Sequence, residues 1–194
     1  DITYLKSIGY KEDFLNYLKD LKFTGNIKSM QEGEICFGNE PLLRVEAPLI
    51  QAQLIETILL NIINFQTLIA TKASRIRQIA THDTLMEFGT RRAQEIDAAL
   101  WGARAAFIGG FDSTSNVRAG KLFNIPVSGT HAHALVQTYG DEYIAFKKYA
   151  ERHKNCVFLV DTFHTLKSGV PTAIKVAKEL GDTINFIGIR LDSG

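Results

Sequence analysis

The sequence predicts a mixed α/β protein whose C-terminal part holds a largely parallel sheet. From about residue 84 onward, short apolar runs alternate with amphipathic stretches of helical length, the pattern of βαβ units. Each run ends in a polar segment, and most of these segments contain glycine. The composition, 194 residues with 45% apolar and 22% charged, is that of one globular domain or part of a larger one, and it excludes disorder, collagen-like repeats and coiled coil.

Charge and cysteine usage narrow the partners. With 22 Lys and Arg against 21 Asp and Glu, the net charge of +1 gives no general drive toward nucleic acid or an anionic membrane, so anion binding must be local. Cys36 and Cys156 stand in no CxxC or zinc-type spacing, which predicts neither a disulfide framework nor structural zinc and fits a reducing, cytoplasmic compartment. The most apolar window, residues 54–69, is interrupted by Glu56, Asn61, Asn64 and Gln66 and reads as a buried or interface helix, not a membrane span. The opening Asp1-Ile2-Thr3-Tyr4 has no secretion-signal pattern, and the missing initiator Met predicts a fragment.

Three segments follow in order. Residues 1–47 predict a short helix over 12–18 and a meander of three antiparallel strands at 24–30, 34–37 and 42–46, punctuated by Gly33 and Gly38-Asn39-Glu40-Pro41. Residues 48–83 predict a long connecting helix with Pro48 at its first position, where the missing N–H costs nothing. Residues 84–194 predict strands at 84–88, 106–109, 125–128, 156–160 and 184–189, with crossover helices at 93–105, 133–153 and 171–180. An open doubly wound sheet and the first part of a barrel both fit.

In either architecture the carboxyl ends of parallel strands share one rim. The exits Gly89-Thr90-Arg91-Arg92, Gly110 to Asn116, Gly129-Thr130-His131-Ala132-His133, Asp161 to Thr165 and Arg190 to Gly194 therefore predict an anion site with arginine forks, histidines and backbone donors. The segment from Gly110 to Asn116 reads equally as a helix cap and as an anion cradle. His131 and His133 leave two chemistries open: zinc ligands on one strand face, joined by Asp161 and His164 as in metal-dependent amidohydrolases, or a nucleophile or acid–base histidine whose tautomer Asp161 holds. For one of the two, simple helix capping also fits.

Taken together, Glu87-Phe88-Gly89-Thr90-Arg91-Arg92-Ala93, Gly109-Gly110-Phe111 with Thr114-Ser115-Asn116-Val117, Pro126 to His133, Val160-Asp161-Thr162 and Gly188 to Gly194 resemble, in order and spacing, the nicotinate phosphoribosyltransferase family, its bacterial branch above all. The resemblance implies an irregular, incomplete α/β barrel preceded by part of an N-terminal α/β domain, in a homodimer with shared active sites. It implies nicotinate, phosphoribosyl pyrophosphate and ATP as substrates, Mg2+ arriving with phosphoribosyl pyrophosphate or ATP, and a role in NAD biosynthesis. It also implies that this chain is an internal piece, without the N-terminal aromatic that stacks on the pyridine ring from a neighbouring subunit and without the later turns that bind the 5′-phosphate.

Residue by residue, Phe88 resembles the ring-stacking phenylalanine and Arg91 the arginine near phosphoribosyl pyrophosphate. Arg190 resembles the arginine contacting base and phosphate, Asp192 the aspartate near the ribose hydroxyls, and His133 the histidine phosphorylated by ATP. His131 sits where relatives vary, and His164 departs from an aspartate in several of them. Ser115 matches an aspartate of the sister enzymes acting on nicotinamide, so a neutral hydroxyl there implies a preference for the acid. The nicotinamide enzyme is the near rival; an amidohydrolase and a non-catalytic dimerisation fragment are the distant ones.

Overall fold

A computed structural model describes residues 1–193, which divide into two compact units, one of residues 1–127 and one from residue 128 onward. In the first unit, helices α1 (Ile2–Ser7) and α2 (Glu12–Lys19) precede an antiparallel hairpin of β1 (Asn26–Ser29) and β2 (Leu43–Glu46). The expected middle strand at 34–37 does not form. Ile35 and Phe37 are exposed, with no neighbouring strand to satisfy them.

Helix α3 (Leu49–Ile79) follows, with Pro48 just outside it as the N-cap, one place earlier than expected. It packs on α4 (Ile96–Ile108), where the two helices approach so closely that a Cβ at Gly109 would stand 2.5 Å from the Ala70 carbonyl oxygen. Only Gln51 and Ala73 of α3 are buried, whereas Leu49, Ile58, Leu60 and Leu68 are exposed; within this chain the helix is not a core helix. It is long and apolar enough to cross a membrane by length and composition.

Residues 106–109 are not a strand either. They form the last turn of α4 and its cap, because the alanine-rich run from Ile96 stays helical to the end of its contact with α3. The parallel partner of β3 (Met86–Glu87) is instead β4 (Ser113–Thr114), beyond which Thr114 bridges Val127. Helix α5 (Val117–Phe123) closes the unit, capped by Asn116, whose side-chain oxygen accepts the Ala119 N–H.

The second unit has a core of Val136, Phe146, Cys156, Phe158, Val160 and Val176 between helices and a parallel pair. The single helix expected over 133–153 is two, α6 (His133–Tyr139) and α7 (Glu142–Ala150), separated by left-handed Gly140 and by Asp141, whose carboxylate caps Ile144 N–H. Strand β5 (Asn155–Leu159) runs through a π-helical turn, Thr165–Gly169, and α8 (Val170–Leu180) to β6 (Asn185–Arg190), its parallel neighbour. The fold is thus mixed α/β with parallel pairs, as expected. Strand pairing among the described residues gives three separate two-stranded sheets and no closed barrel.

Candidate active site

The second unit gathers four of the expected residues at the carboxyl ends of β5 and β6. Val160 N–H still donates to Arg190 O at 3.2 Å, so the two chains leave the sheet side by side and carry Asp161 and Asp192 to neighbouring positions. His133, the first residue of α6, sets its Nε2 3.0 Å from Asp161 Oδ1. Asp161 Oδ2 accepts the N–H groups of Asp192 and Ser193, both at 2.6 Å, and the Ser193 hydroxyl at 2.8 Å. Arg190 binds Asp192 on one side and the Thr130 hydroxyl on the other. His133 Nδ1 lies 3.8 Å from Asp192 Oδ2, too far for a hydrogen bond but close enough to feel its charge.

The electrostatics follow from these contacts. The Asp161 side chain is only 4% exposed, and burial alone would raise its pKa. The Ser193 and Asp192 N–H groups, the Ser193 hydroxyl and His133 outweigh burial and hold the carboxyl well below the usual carboxylate range. An ionised carboxylate only accepts, so the hydrogen in the His133 pair belongs to Nε2; in the neutral ring the lone pair is then on Nδ1.

His131 does something else. The His131-Ala132-His133 segment enters a helix and is not a strand, so the two rings do not share a face as zinc ligands. His131 Nε2 accepts the Leu159 N–H at 3.0 Å, deep among Phe146, Tyr149 and Phe158. His164 accepts the Lys167 N–H and caps the π-helical turn. Two of the three histidines offered to the amidohydrolase reading, His131 and His164, are therefore committed to the fold. With both Asp161 oxygens also engaged, no group of three or more His, Cys, Asp or Glu among the described residues is arranged to hold a metal ion.

Phe88, Arg91 and Ser115 lie in the first unit. Glu87, at the end of β3, accepts the Thr114 hydroxyl at 2.6 Å with one oxygen and the Gly89 N–H at 2.5 Å with the other. This fixes the exposed Phe88 and the 3-10 turn Thr90–Arg92 that carries exposed Arg91. Ser115 N–H donates to Glu87 O at 3.0 Å, so the Phe88 and Ser115 segments are held to each other through the strand pair. Behind them Arg77 donates to Gly110 O and Ala80 O and pairs with Asp112, whose carboxylate also takes the Leu85 N–H.

Sequence reasoning assigned no role to Thr130, Ser193, Glu87 or Thr114, although all four stand inside its motifs. The available signal was their chemistry: a hydroxyl or carboxylate one to three residues from each functional side chain is the usual source of the bond that orients it.

The second unit is thus an α/β unit whose parallel strand ends present a carboxylate-paired histidine and a braced arginine. The chain belongs to the nicotinate phosphoribosyltransferase family, whose family model matches residues 84–194, while the model of that family's N-terminal domain matches residues 1–64. It is 71% identical to nicotinate phosphoribosyltransferase of Bacillus subtilis over 100% of this chain and 40% of that protein, and 40% identical to pncB2 of Mycobacterium tuberculosis over 100% and 42%. The crystal structure of human nicotinic acid phosphoribosyltransferase superposes with a TM-score of 0.89 at 31% identity, covering 100% of this chain and 49% of that one. Nicotinate-nucleotide pyrophosphorylase from Pyrococcus furiosus gives 0.79 at 32% identity, covering 89% and 43%. The chain therefore spans less than half the length of these relatives.

Proposed function

We propose that the protein to which this chain belongs is a nicotinate phosphoribosyltransferase. It joins nicotinate to the ribose C1 of phosphoribosyl pyrophosphate, releases pyrophosphate and yields nicotinate mononucleotide for NAD biosynthesis in the cytoplasm. ATP hydrolysis is coupled to the transfer through phosphorylation of His133. The observation that carries this reading is the His133–Asp161 pair inside the Thr130–Arg190–Asp192 network, in a chain of this family.

Asp161 keeps the proton on His133 Nε2, which leaves Nδ1 to attack the γ-phosphorus of ATP; the N–P bond forms as ADP leaves, and water later releases phosphate. Arg190 offsets the nearby Asp192 charge that would otherwise repel the incoming phosphoryl group. In the ribosyl transfer, Phe88 stacks on the pyridine ring, Ser115 donates to the nicotinate carboxylate, Arg91 faces phosphoribosyl pyrophosphate, and Asp192 serves the ribose hydroxyls. Mg2+ arriving with phosphoribosyl pyrophosphate or ATP would supply positive charge to the departing pyrophosphate.

For architecture, residues 1–47 are part of the N-terminal domain, 48–83 the connecting helix, and 84–194 the first part of an irregular, incomplete α/β barrel. Ile187 and Ile189, exposed on one face of β6, support a further layer packed on that face. The exposed apolar positions of α3 support burial in the homodimer or against the rest of the subunit.

The test is an assay of the full-length protein with nicotinate, phosphoribosyl pyrophosphate and Mg2+-ATP. Nicotinate mononucleotide should form with ADP, and acid-labile phosphate should appear on wild type but not on His133→Ala. A purified, folded protein that makes no nicotinate mononucleotide under these conditions would falsify the reading.

A further inference from the structure

Two rungs tie the chain entering α6 to the chain leaving β5. In one, His133 faces Asp161 at 3.0 Å; in the other, Leu159 N–H donates to His131 Nε2, also at 3.0 Å, and each rung joins residues 28 positions apart. Both connecting backbones are extended: Ala132 has φ −99° and ψ 164°, and Val160 continues the ladder to Arg190. Two extended residues advance about 6.6 Å on either side, so a shift at one rung is passed to the other.

His131 cannot drift to absorb such a shift. The residue is 7% exposed, and its ring has centroid distances of 4.8 Å to Tyr149 and 5.8 Å to Phe146. As acceptor at Nε2 the imidazole carries its proton on Nδ1, and burial favours this neutral form. A leucine would fill the same space, but it would leave the Leu159 N–H without a partner and free to move.

We propose that His131 is a positioning residue for the catalytic histidine: its bond to Leu159 N–H sets the height at which His133 meets Asp161. The phosphoryl readout of this inference rests on the proposed function, whereas the spectroscopic readout does not. In the full-length protein with 15N-labelled histidine, the hydrogen-bonded His133 Nε2–H should give a downfield proton resonance that disappears in His131→Leu and returns in His131→Gln, whose amide can accept the Leu159 N–H. The rate of His133 labelling by ATP should fall about 10- to 100-fold in His131→Leu, recover in His131→Gln, and leave the KM for nicotinate unchanged. A folded His131→Leu that keeps both the resonance and the rate overturns the proposal.

If His131→Leu does not fold, hydrogen exchange on wild type decides. Leu159 N–H and the His133 Nε2–H should open with one shared free energy as denaturant is raised. Persistence of the His133 bond after Leu159 N–H exchanges freely overturns the proposal. Absence of any phosphate on wild-type His133 would instead count against the proposed function and leave the resonance to decide this inference.

Discussion

His133 Nε2 stands 3.0 Å from Asp161 Oδ1, and the other oxygen of that carboxylate is held by Asp192 and Ser193 beyond the next strand. One side chain thus joins the ends of β5 and β6 to the start of α6. Asp161→Asn removes the charge that selects the imidazole tautomer and turns an amide donor toward groups that need an acceptor. Labelling of His133 by ATP should slow about 10²- to 10⁴-fold, the range for positioned acid–base groups, as measured by rapid quench. A wild-type rate in this variant would remove Asp161 from the reaction.

The same geometry fixes which nitrogen reacts. Nε2 is committed to Asp161, and Nδ1, 3.8 Å from Asp192 Oδ2, has no hydrogen-bond partner in that contact. Phosphate should therefore sit on Nδ1. Nitrogen–phosphorus coupling in the 15N-histidine phosphoenzyme distinguishes the two sites, and coupling at Nε2 would contradict the assigned orientation.

Acid should weaken the fold through two groups. Burial, with the Arg190, His133 and His153 charges nearby, holds the His131 pKa below its ordinary 6.5 against an opposing hydrogen bond at Ala132. The unfolded chain then takes up this proton first, so the contribution is complete above about pH 6.5 and is lost as pH falls toward the folded value. For Asp161, burial is outweighed by the Ser193, Asp192 and His133 bonds; its contribution is present above about pH 4 and is lost as pH falls through its low folded value. Denaturant titrations from pH 8 to about pH 2 should show the loss that begins near pH 6.5 missing in His131→Gln and the loss that begins near pH 4 missing in Asp161→Asn.

The family, the strands of the β5–β6 pair and the residues His133 and Asp161 were legible in the sequence because each signal is local: polar exits after β-branched runs need only a few neighbouring residues to be recognised. Two other features depended on tertiary contact. Ala106-Phe107-Ile108-Gly109 has the composition of a short strand, and only its packing on α3 keeps it helical. Ser113-Thr114 looks like a loop, yet Thr114 is buried as a strand because Glu87 accepts its hydroxyl. By contrast, the break at Gly140-Asp141 was written locally, as a left-handed glycine followed by a helix-capping aspartate. His131 was illegible for another reason: whether a histidine is ligand, cap or core depends on what surrounds it.

Gly169 ties the helix after the site to the strand before it. A Cβ there would stand 1.9 Å from the Val160 carbonyl oxygen, whereas at Gly129 it would meet nothing within 4 Å. Gly169→Ala must push apart α8 and the residue preceding Asp161, which should cost about 1–3 kcal/mol in urea denaturation and slow His133 labelling as well. Gly129→Ala should change stability by less than about 0.5 kcal/mol. Equal stability losses in the two variants would show that the close approach at Gly169 is easily relieved.

Choice of the acid over the amide should turn on Ser115. Its segment is fixed by the bond from Ser115 N–H to Glu87 O, and Glu87 in turn orients Phe88 through Gly89, so the ring and its substituent are read by two pieces of one strand pair. A hydroxyl can donate to the nicotinate carboxylate, whereas an aspartate would set two like charges together. At about 4 Å and an effective dielectric near 20 that repulsion is about 4 kcal/mol, enough to outweigh the loss of one hydrogen bond, about 1 kcal/mol. In the full-length enzyme Ser115→Asp should therefore depress kcat/KM for nicotinate by roughly two orders of magnitude more than Ser115→Ala does, since each 1.4 kcal/mol is tenfold. The carboxamide carries no charge to repel, so kcat/KM for nicotinamide should not fall in parallel. Equal losses in Ser115→Asp and Ser115→Ala with nicotinate as substrate would place the selecting group elsewhere.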